Sequence, residues 1–175
     1  MCFSFEISLL TFLSSWSISI YLLNKGLNKK KKNLVIALMI FSSIQIIDAI
    51  FWYTGMKKDN INYYLTSFFV PFILSLQILY NVFVINNNKN YIISIVSIFV
   101  CIYLFFRFNG YTKALCNNKF SSPIWGSNEI SLFELLSFAF LIFYPRWNDI
   151  LFTILFMFPL IYFIANGAYG SLWCS

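Results

Sequence analysis

The stretch from Leu34 to Thr54 constrains the fold of this chain more than any other segment. It reads LVIALMIFSSIQIIDAIFWYT, a nearly continuous apolar run interrupted by Gln45 and Asp48. About twenty apolar residues are enough to cross the hydrocarbon core of a bilayer as one α-helix. An ionisable side chain inside such a helix is costly to bury, so Asp48 is expected to face the interior of a helix bundle.

The composition of the whole chain points to the same class of protein. Of its 175 residues, 60% are hydrophobic and only 10% are charged, whereas a soluble domain carries about 25% charged residues. So little charge cannot coat a water-facing surface, and 22 Phe residues would leave large apolar patches exposed. The composition therefore predicts an integral membrane protein and excludes a disordered chain.

Apolar segments recur along the chain and predict an all-α fold, a polytopic transmembrane helix bundle that forms one domain over residues 1–175. Six spans are expected, at residues 3–23, 34–54, 65–85, 91–107, 129–144 and 150–165, with a seventh if the tail folds back. The first span has no basic segment before it and no small-residue cleavage site after it. We therefore expect a retained helix rather than a removed signal peptide.

The run Lys29–Lys32 is the strongest charge cluster and predicts the orientation. The positive-inside rule places it in the cytoplasm, which puts the N-terminus outside. The net charge of +6 comes from basic residues between apolar segments, so it indicates topology, and no nucleic-acid partner is expected. The expected partner is the lipid bilayer, with a second copy of the chain or other membrane proteins as further alternatives.

In this topology, ionisable groups from four spans lie in the outer half of the bundle. Gln45, Asp48 and Trp52 are spaced three and four residues apart, so they share one helix face. The other candidate binding residues at similar depth are Glu6, Glu134 and Arg107.

Two interpretations of these residues stay open. In the structural one, Asp48 is neutral, or is paired with Arg107 or a hydroxyl group, and fixes the helix register. In the functional one, the candidate residues line an outward-facing pocket for a cation, a proton or a polar headgroup.

The residue types that are missing limit the chemistry. The chain has no His, which removes the commonest general base and metal ligand, and its isolated glycines match no phosphate-binding loop. No metal, cofactor or catalytic residue is therefore assigned. A small ligand-binding, ion-binding or permeation protein is the first hypothesis, and a structural membrane component is the second. A membrane-embedded enzyme acting on lipid is the third, because carboxylates alone can serve as acid and base.

The cysteines and tryptophans follow the same topology. Cys2, Cys116 and Cys174 fall on outward segments, so two of the three would pair if that face is oxidising, and the sequence does not choose which two. Cys101 falls inside the fourth span and is interpreted as a packing residue. An interfacial aromatic belt accounts for the tryptophans near the outer boundary, which are Trp52, Trp125 and Trp173.

Three short motifs carry a resemblance to a known family. They are the start Met1-Cys2-Phe3-Ser4, the face Gln45-x-x-Asp48-x-x-x-Trp52, and the tail Gly170-Ser171-Leu172-Trp173-Cys174. Together they resemble a family of uncharacterised multi-pass membrane proteins that begin MCFS, found in bacteria and in giant DNA viruses of protists.

The resemblance implies class and location, namely a membrane of a host cell or a virion, and it implies no activity. This chain departs from the family in two places. It has Asp48-Ala49 where members usually have Glu and then Gly. It also keeps only Trp125 of a His-Leu-x-Trp stretch in the long loop.

Overall fold

The computed structural model describes residues 4–85, 90–116, 121–126 and 130–144. These residues are mostly helical, which confirms the all-α class. The helices are α1 (Phe5–Asn24), α2 (Lys29–Ser42), α3 (Ile44–Tyr53), α4 (Asn60–Tyr64), α5 (Val70–Leu79), α6 (Tyr91–Arg107) and α7 (Leu132–Phe143). Two π-helical segments, Leu65–Phe69 and Tyr80–Ile85, flank α5, and two strands, β1 (Lys113–Cys116) and β2 (Ser121–Ile124), follow α6.

Three continuous helical stretches are long and apolar enough to cross a membrane. They are α1 with 20 residues, α2 and α3 together with 25 residues, and Asn60–Ile85 with 26 residues. The helices α6 and α7 are apolar but shorter, with 17 and 12 residues. These helices support a membrane-embedded bundle. The predicted span at 150–165 lies outside the described residues.

Two helices begin earlier than the hydrophobic runs suggested, because polar caps start them. The side chain of Asn28 accepts a hydrogen bond from the Lys31 N–H, so α2 begins at Lys29 and includes the lysine run. Asp59 accepts from the Asn62 N–H in the same way, so a helix begins inside residues 55–64, which the sequence predicted to be a loop. In both places a capping side chain starts the helix outside the apolar run.

The second and third spans are irregular at identifiable residues. Between α2 and α3, the hydroxyl group of Ser43 donates to the Met39 carbonyl oxygen at 2.7 Å, a local bond that competes with regular helix geometry. In the third span, Pro71 has no N–H for the helical ladder, and the π-helical segment Leu65–Phe69 directly precedes it. These two stretches therefore combine α-helix with local departures from regular α-helical geometry.

The core lies among α3, α5, α6 and α7, while α1 packs against α2 and α3 at one side. Its fully buried residues include Ile44, Phe51, Val70, Ile78 and Val82. We call the end where α1 stops and α2 begins the lysine end, and the opposite end, which carries β1 and β2, the hairpin end.

An antiparallel hairpin of β1 and β2 replaces part of the long loop predicted at 108–128. In this hairpin Lys113 lies opposite Ile124. A fully buried hydrogen-bond network fixes the chain that enters it. Asn62 Nδ2 donates to the Thr112 carbonyl oxygen at 3.0 Å, and the Thr112 N–H donates to Asn62 Oδ1 at 2.8 Å. The hydroxyl groups of Thr66 and Thr112 lie 2.7 Å apart. The network ties the hairpin to the start of the third span and so determines where Trp125, just after β2, can lie.

Candidate functional site at the hairpin end

Asp48 is paired with a tryptophan. It lies on α3, is 2% exposed, and accepts a hydrogen bond of 2.9 Å at Oδ1 from Nε1 of Trp125. The Trp125 ring is 3% exposed and meets Phe108 edge to face, with 6.2 Å between ring centroids. Trp125 is therefore a buried partner of Asp48, and its assignment to an interfacial aromatic belt is wrong.

The other two residues of the predicted face have different surroundings. Gln45, one turn before Asp48, is 1% exposed, as expected for a polar residue turned into the bundle. Trp52 is half-buried, and its Nε1 has no hydrogen-bond partner among the described residues. Gln45 and Asp48 thus form the buried part of this face.

Arg107 and Glu134 form a second polar centre, which links α6 to α7. Arg107 Nε lies 2.6 Å from Glu134 Oε1, and the Tyr103 hydroxyl group donates to the same carboxylate oxygen. Glu134 Oε2 accepts the Ser131 N–H at 2.7 Å, and Ser131 Oγ accepts the Glu134 N–H at 3.2 Å. This is a capping box at the start of α7. Both carboxylate oxygens are therefore held by neighbouring donors.

Glu6 does not join either centre. Its side chain is exposed, and Oε2 accepts a hydrogen bond from the neighbouring Ser4 hydroxyl group. The sequence placed Glu6, Asp48 and Glu134 in one outer-half cluster. The structure places them separately, on the surface, in the core and at the junction of α6 and α7.

A pocket of about 400 Å³ lies between α5, α6 and α7 at this end of the bundle. Its walls are largely apolar and include Leu74, Leu104 and Phe138. Its polar lining residues are Ser137 and three members of the second centre, Tyr103, Arg107 and Glu134. The arrangement suits a mainly apolar molecule with a polar group placed beside the ion pair.

Trp125 connects the pocket to the buried carboxylate. Its ring lines the pocket, while its Nε1 reaches Asp48. Asp48 does not line the pocket itself, and its link to the pocket is the hydrogen bond to the Trp125 indole.

Sequence reasoning missed Tyr103, Ser137 and the role of Trp125. Tyr103 lies four residues before Arg107, on the same helix face, so helical spacing could have found it. Ser137 is three residues after Glu134 and could have been found in the same way. For Trp125, no local pattern indicates the contact, because Asp48 lies 77 positions earlier in the chain.

Among the described residues, no group of three Cys, Asp or Glu side chains could hold a metal ion. The thiol of Cys101 is buried, 3.9 Å from the Ser75 carbonyl oxygen, which agrees with a packing role. Cys2, Cys174 and the side chain of Cys116 lie outside the part of the chain that the structure describes. A disulfide among them stays a prediction.

No protein-family model, curated protein or solved structure matches this chain.

Proposed function

We propose that this chain is a multi-pass membrane protein that binds a small, largely apolar ligand in the pocket at the hairpin end. The observation that supports the proposal is a cavity of about 400 Å³ with apolar walls and the Arg107–Glu134 pair beside it. Small-molecule sites commonly have volumes of about 300–1,000 Å³ and combine apolar walls with a few fixed polar groups. The ion pair would orient the polar part of the ligand.

The proposed orientation places this pocket on the outer side. Lys25 and Lys29–Lys32 cluster at the lysine end, and basic clusters of this kind remain in the cytoplasm. The hairpin end and the N-terminus would then face outward. A ligand would enter from the outer side or from the outer leaflet.

In this proposal, Asp48 is a positioning residue. It holds the Trp125 ring against one side of the cavity through the 2.9 Å hydrogen bond. A ring held by packing and by a hydrogen bond forms a fixed wall, and such preorganisation reduces the ordering cost of binding.

A structural membrane component, for example of a virion membrane, is the second candidate function. The Asp48–Trp125 hydrogen bond and the Arg107–Glu134 pair favour it, because polar groups paired within the chain can fix helix register without any ligand. A lipid-acting enzyme has less support, since Glu134 is the only acidic residue among those that line the pocket as the structure describes it.

Two tryptophan substitutions on α7 test ligand binding. Ser137 lines the pocket, whereas the adjacent Leu136 is 43% exposed on the outer surface of the helix. Native mass spectrometry of the gently purified protein should show a co-purified small molecule that Ser137→Trp removes and Leu136→Trp retains. A wild-type protein that carries no such molecule, or carries one that Ser137→Trp leaves in place, would favour the structural component.

A further inference from the structure

A second cavity, of about 260 Å³, lies toward the lysine end between α2, the end of the third span and α7. Its walls include Leu34, Leu38 and Phe41 from α2, and Ile142 from α7. It shares no lining residue with the pocket at the hairpin end. The proposed function therefore does not use it.

Lysine side chains stand on the same side of α2 as this cavity. Leu34 lies four residues after Lys30 and three after Lys31, so helical spacing aligns both lysines with the cavity wall. Both lysines are exposed at the start of α2. One side of the helix thus changes from basic to apolar within a turn.

The charge at this point has no compensation within the described protein. Four consecutive lysines, Lys29–Lys32, open the helix at the end where its dipole is positive. None of them forms a salt bridge with a described acidic side chain. Adjacent like charges at a positive helix end repel one another, so a bound anion would stabilise the start of α2.

A polar atom at the deep end of the cavity also has no hydrogen-bond partner among the described residues. The side chain of Gln77 lines it, is 6% exposed, and has no hydrogen-bond partner for Oε1 among the described residues. A buried polar acceptor of this kind commonly takes an ordered water molecule. The described side chains therefore leave the deep end of this cavity unfilled.

The distance from the lysines to the far wall of the cavity matches one leaflet of a bilayer. Ten residues separate Lys31 from Phe41, which is about 15 Å along a helix. The hydrocarbon core of a bilayer is about 30 Å thick, so one leaflet is about 15 Å. A molecule held at Lys31 and reaching Phe41 would span the acyl region of that leaflet.

We propose that an anionic phospholipid binds here, with its phosphate at Lys30 and Lys31 and one acyl chain in the second cavity. A free phosphate ion would use the lysines and leave the largely apolar cavity empty, whereas a phospholipid uses both. Basic residues beside a pocket between membrane helices are the arrangement that binds anionic headgroups at the cytoplasmic face.

The test is native mass spectrometry of the full chain released from nanodiscs that contain equal amounts of phosphatidylglycerol and phosphatidylcholine with the same acyl chains. The wild-type protein should retain phosphatidylglycerol selectively. The Lys30→Gln/Lys31→Gln variant should lose about thirtyfold in that selectivity, because each lysine near an anionic lipid contributes separately to binding. The matched control is Lys57→Gln/Lys58→Gln, an exposed lysine pair just before α4, which should change nothing.

A second pair of variants tests the cavity itself. Ala37 lines it, whereas the adjacent Ile36 is not part of its lining. Ala37→Phe should reduce the retained lipid, and Ile36→Phe should retain it. Circular dichroism should show that all variants remain helical.

Three results would overturn the proposal. They are equal retention of the two lipids, unchanged retention in both test variants, and displacement of the bound lipid by millimolar inorganic phosphate, which would indicate a site for a free anion. Ser137→Trp should leave lipid retention unchanged, so the two binding proposals can fail independently.

Discussion

Trp125 Nε1 donates a 2.9 Å hydrogen bond to Oδ1 of Asp48, a residue 77 positions earlier in the chain. The bond joins the segment after the hairpin to the middle of the bundle. The bond gives the buried side chain of Asp48 a fixed hydrogen-bond donor. It also holds the Trp125 indole in place as part of the wall of the larger pocket.

Trp125→Phe should destabilise the protein, because it leaves the carboxyl group of Asp48 buried without this donor. The expected loss is about 1–3 kcal/mol, the usual cost of a buried polar group that loses its partner. Thermal unfolding in detergent, followed by circular dichroism, measures it. Trp16→Phe is the matched control, since Nε1 of Trp16 has no partner among the described residues to lose.

The double variant Asp48→Leu/Trp125→Phe should be more stable than Trp125→Phe alone. Removing both partners leaves no orphaned acceptor, so part of the penalty disappears. If the double variant loses at least as much stability as the sum of the two single variants, the hydrogen bond is not what couples these residues.

Glu134→Gln should weaken the junction between α6 and α7. A glutamine can still complete the capping box with Ser131, so the loss reports the interactions of Oε1 with Arg107 and Tyr103. Because both side chains are partly exposed, at 13% and 18%, we expect about 1–2 kcal/mol, between the values for surface and buried ion pairs.

The control for this junction is Glu6→Gln, which alters an exposed carboxylate and should change stability by less than about 0.5 kcal/mol. Chemical unfolding in detergent compares the two variants. Equal effects would mean that the contact with Arg107 contributes nothing measurable.

Asn62→Ala should loosen the hairpin, because the Thr112 N–H and carbonyl oxygen both lose a buried partner. Hydrogen exchange of the backbone at residues 113–116 should become faster, by about 5- to 160-fold for a local loss of about 1–3 kcal/mol. Asn109→Ala is the control, since Asn109 is exposed and its side chain accepts a hydrogen bond from the Tyr63 hydroxyl group outside this network. Unchanged exchange in Asn62→Ala would show that strand pairing alone holds the hairpin.

Gln77→Leu should be neutral or stabilising by up to about 1 kcal/mol. Oε1 of Gln77 has no partner among the described residues, and its Nε2 donates only a long bond of 3.5 Å to the Phe41 carbonyl oxygen, so little is lost when an apolar side chain replaces it. Gln45→Leu should instead destabilise, because Gln45 is equally buried and does have a partner. Thermal unfolding of the two variants measures both changes in stability. A difference between them would show that hydrogen-bond partners, rather than burial, determine the effect of replacing a glutamine in this bundle.

Helical spacing correctly predicted that Gln45 and Asp48 both face the interior of the bundle, because residues three apart share a helix face. It could not select their partners. Trp125 comes from a hairpin whose position depends on the buried network of Asn62 and Thr112, and no local pattern encodes that contact. Arg107 and Glu134 illustrate the same limit: the sequence placed both at a similar depth but did not indicate that they form a pair.

The sequence by itself determined that this chain is helical and suited to a membrane, because apolar length and low charge are properties of each segment taken alone. The tertiary structure decided which polar residues meet. Glu6 lies at the surface. Asp48 accepts a hydrogen bond from Trp125, and Glu134 forms a salt bridge with Arg107. Such pairings depend on how helices and a hairpin distant in sequence pack together, and side-chain periodicity within one segment carries no information about the segment that covers it.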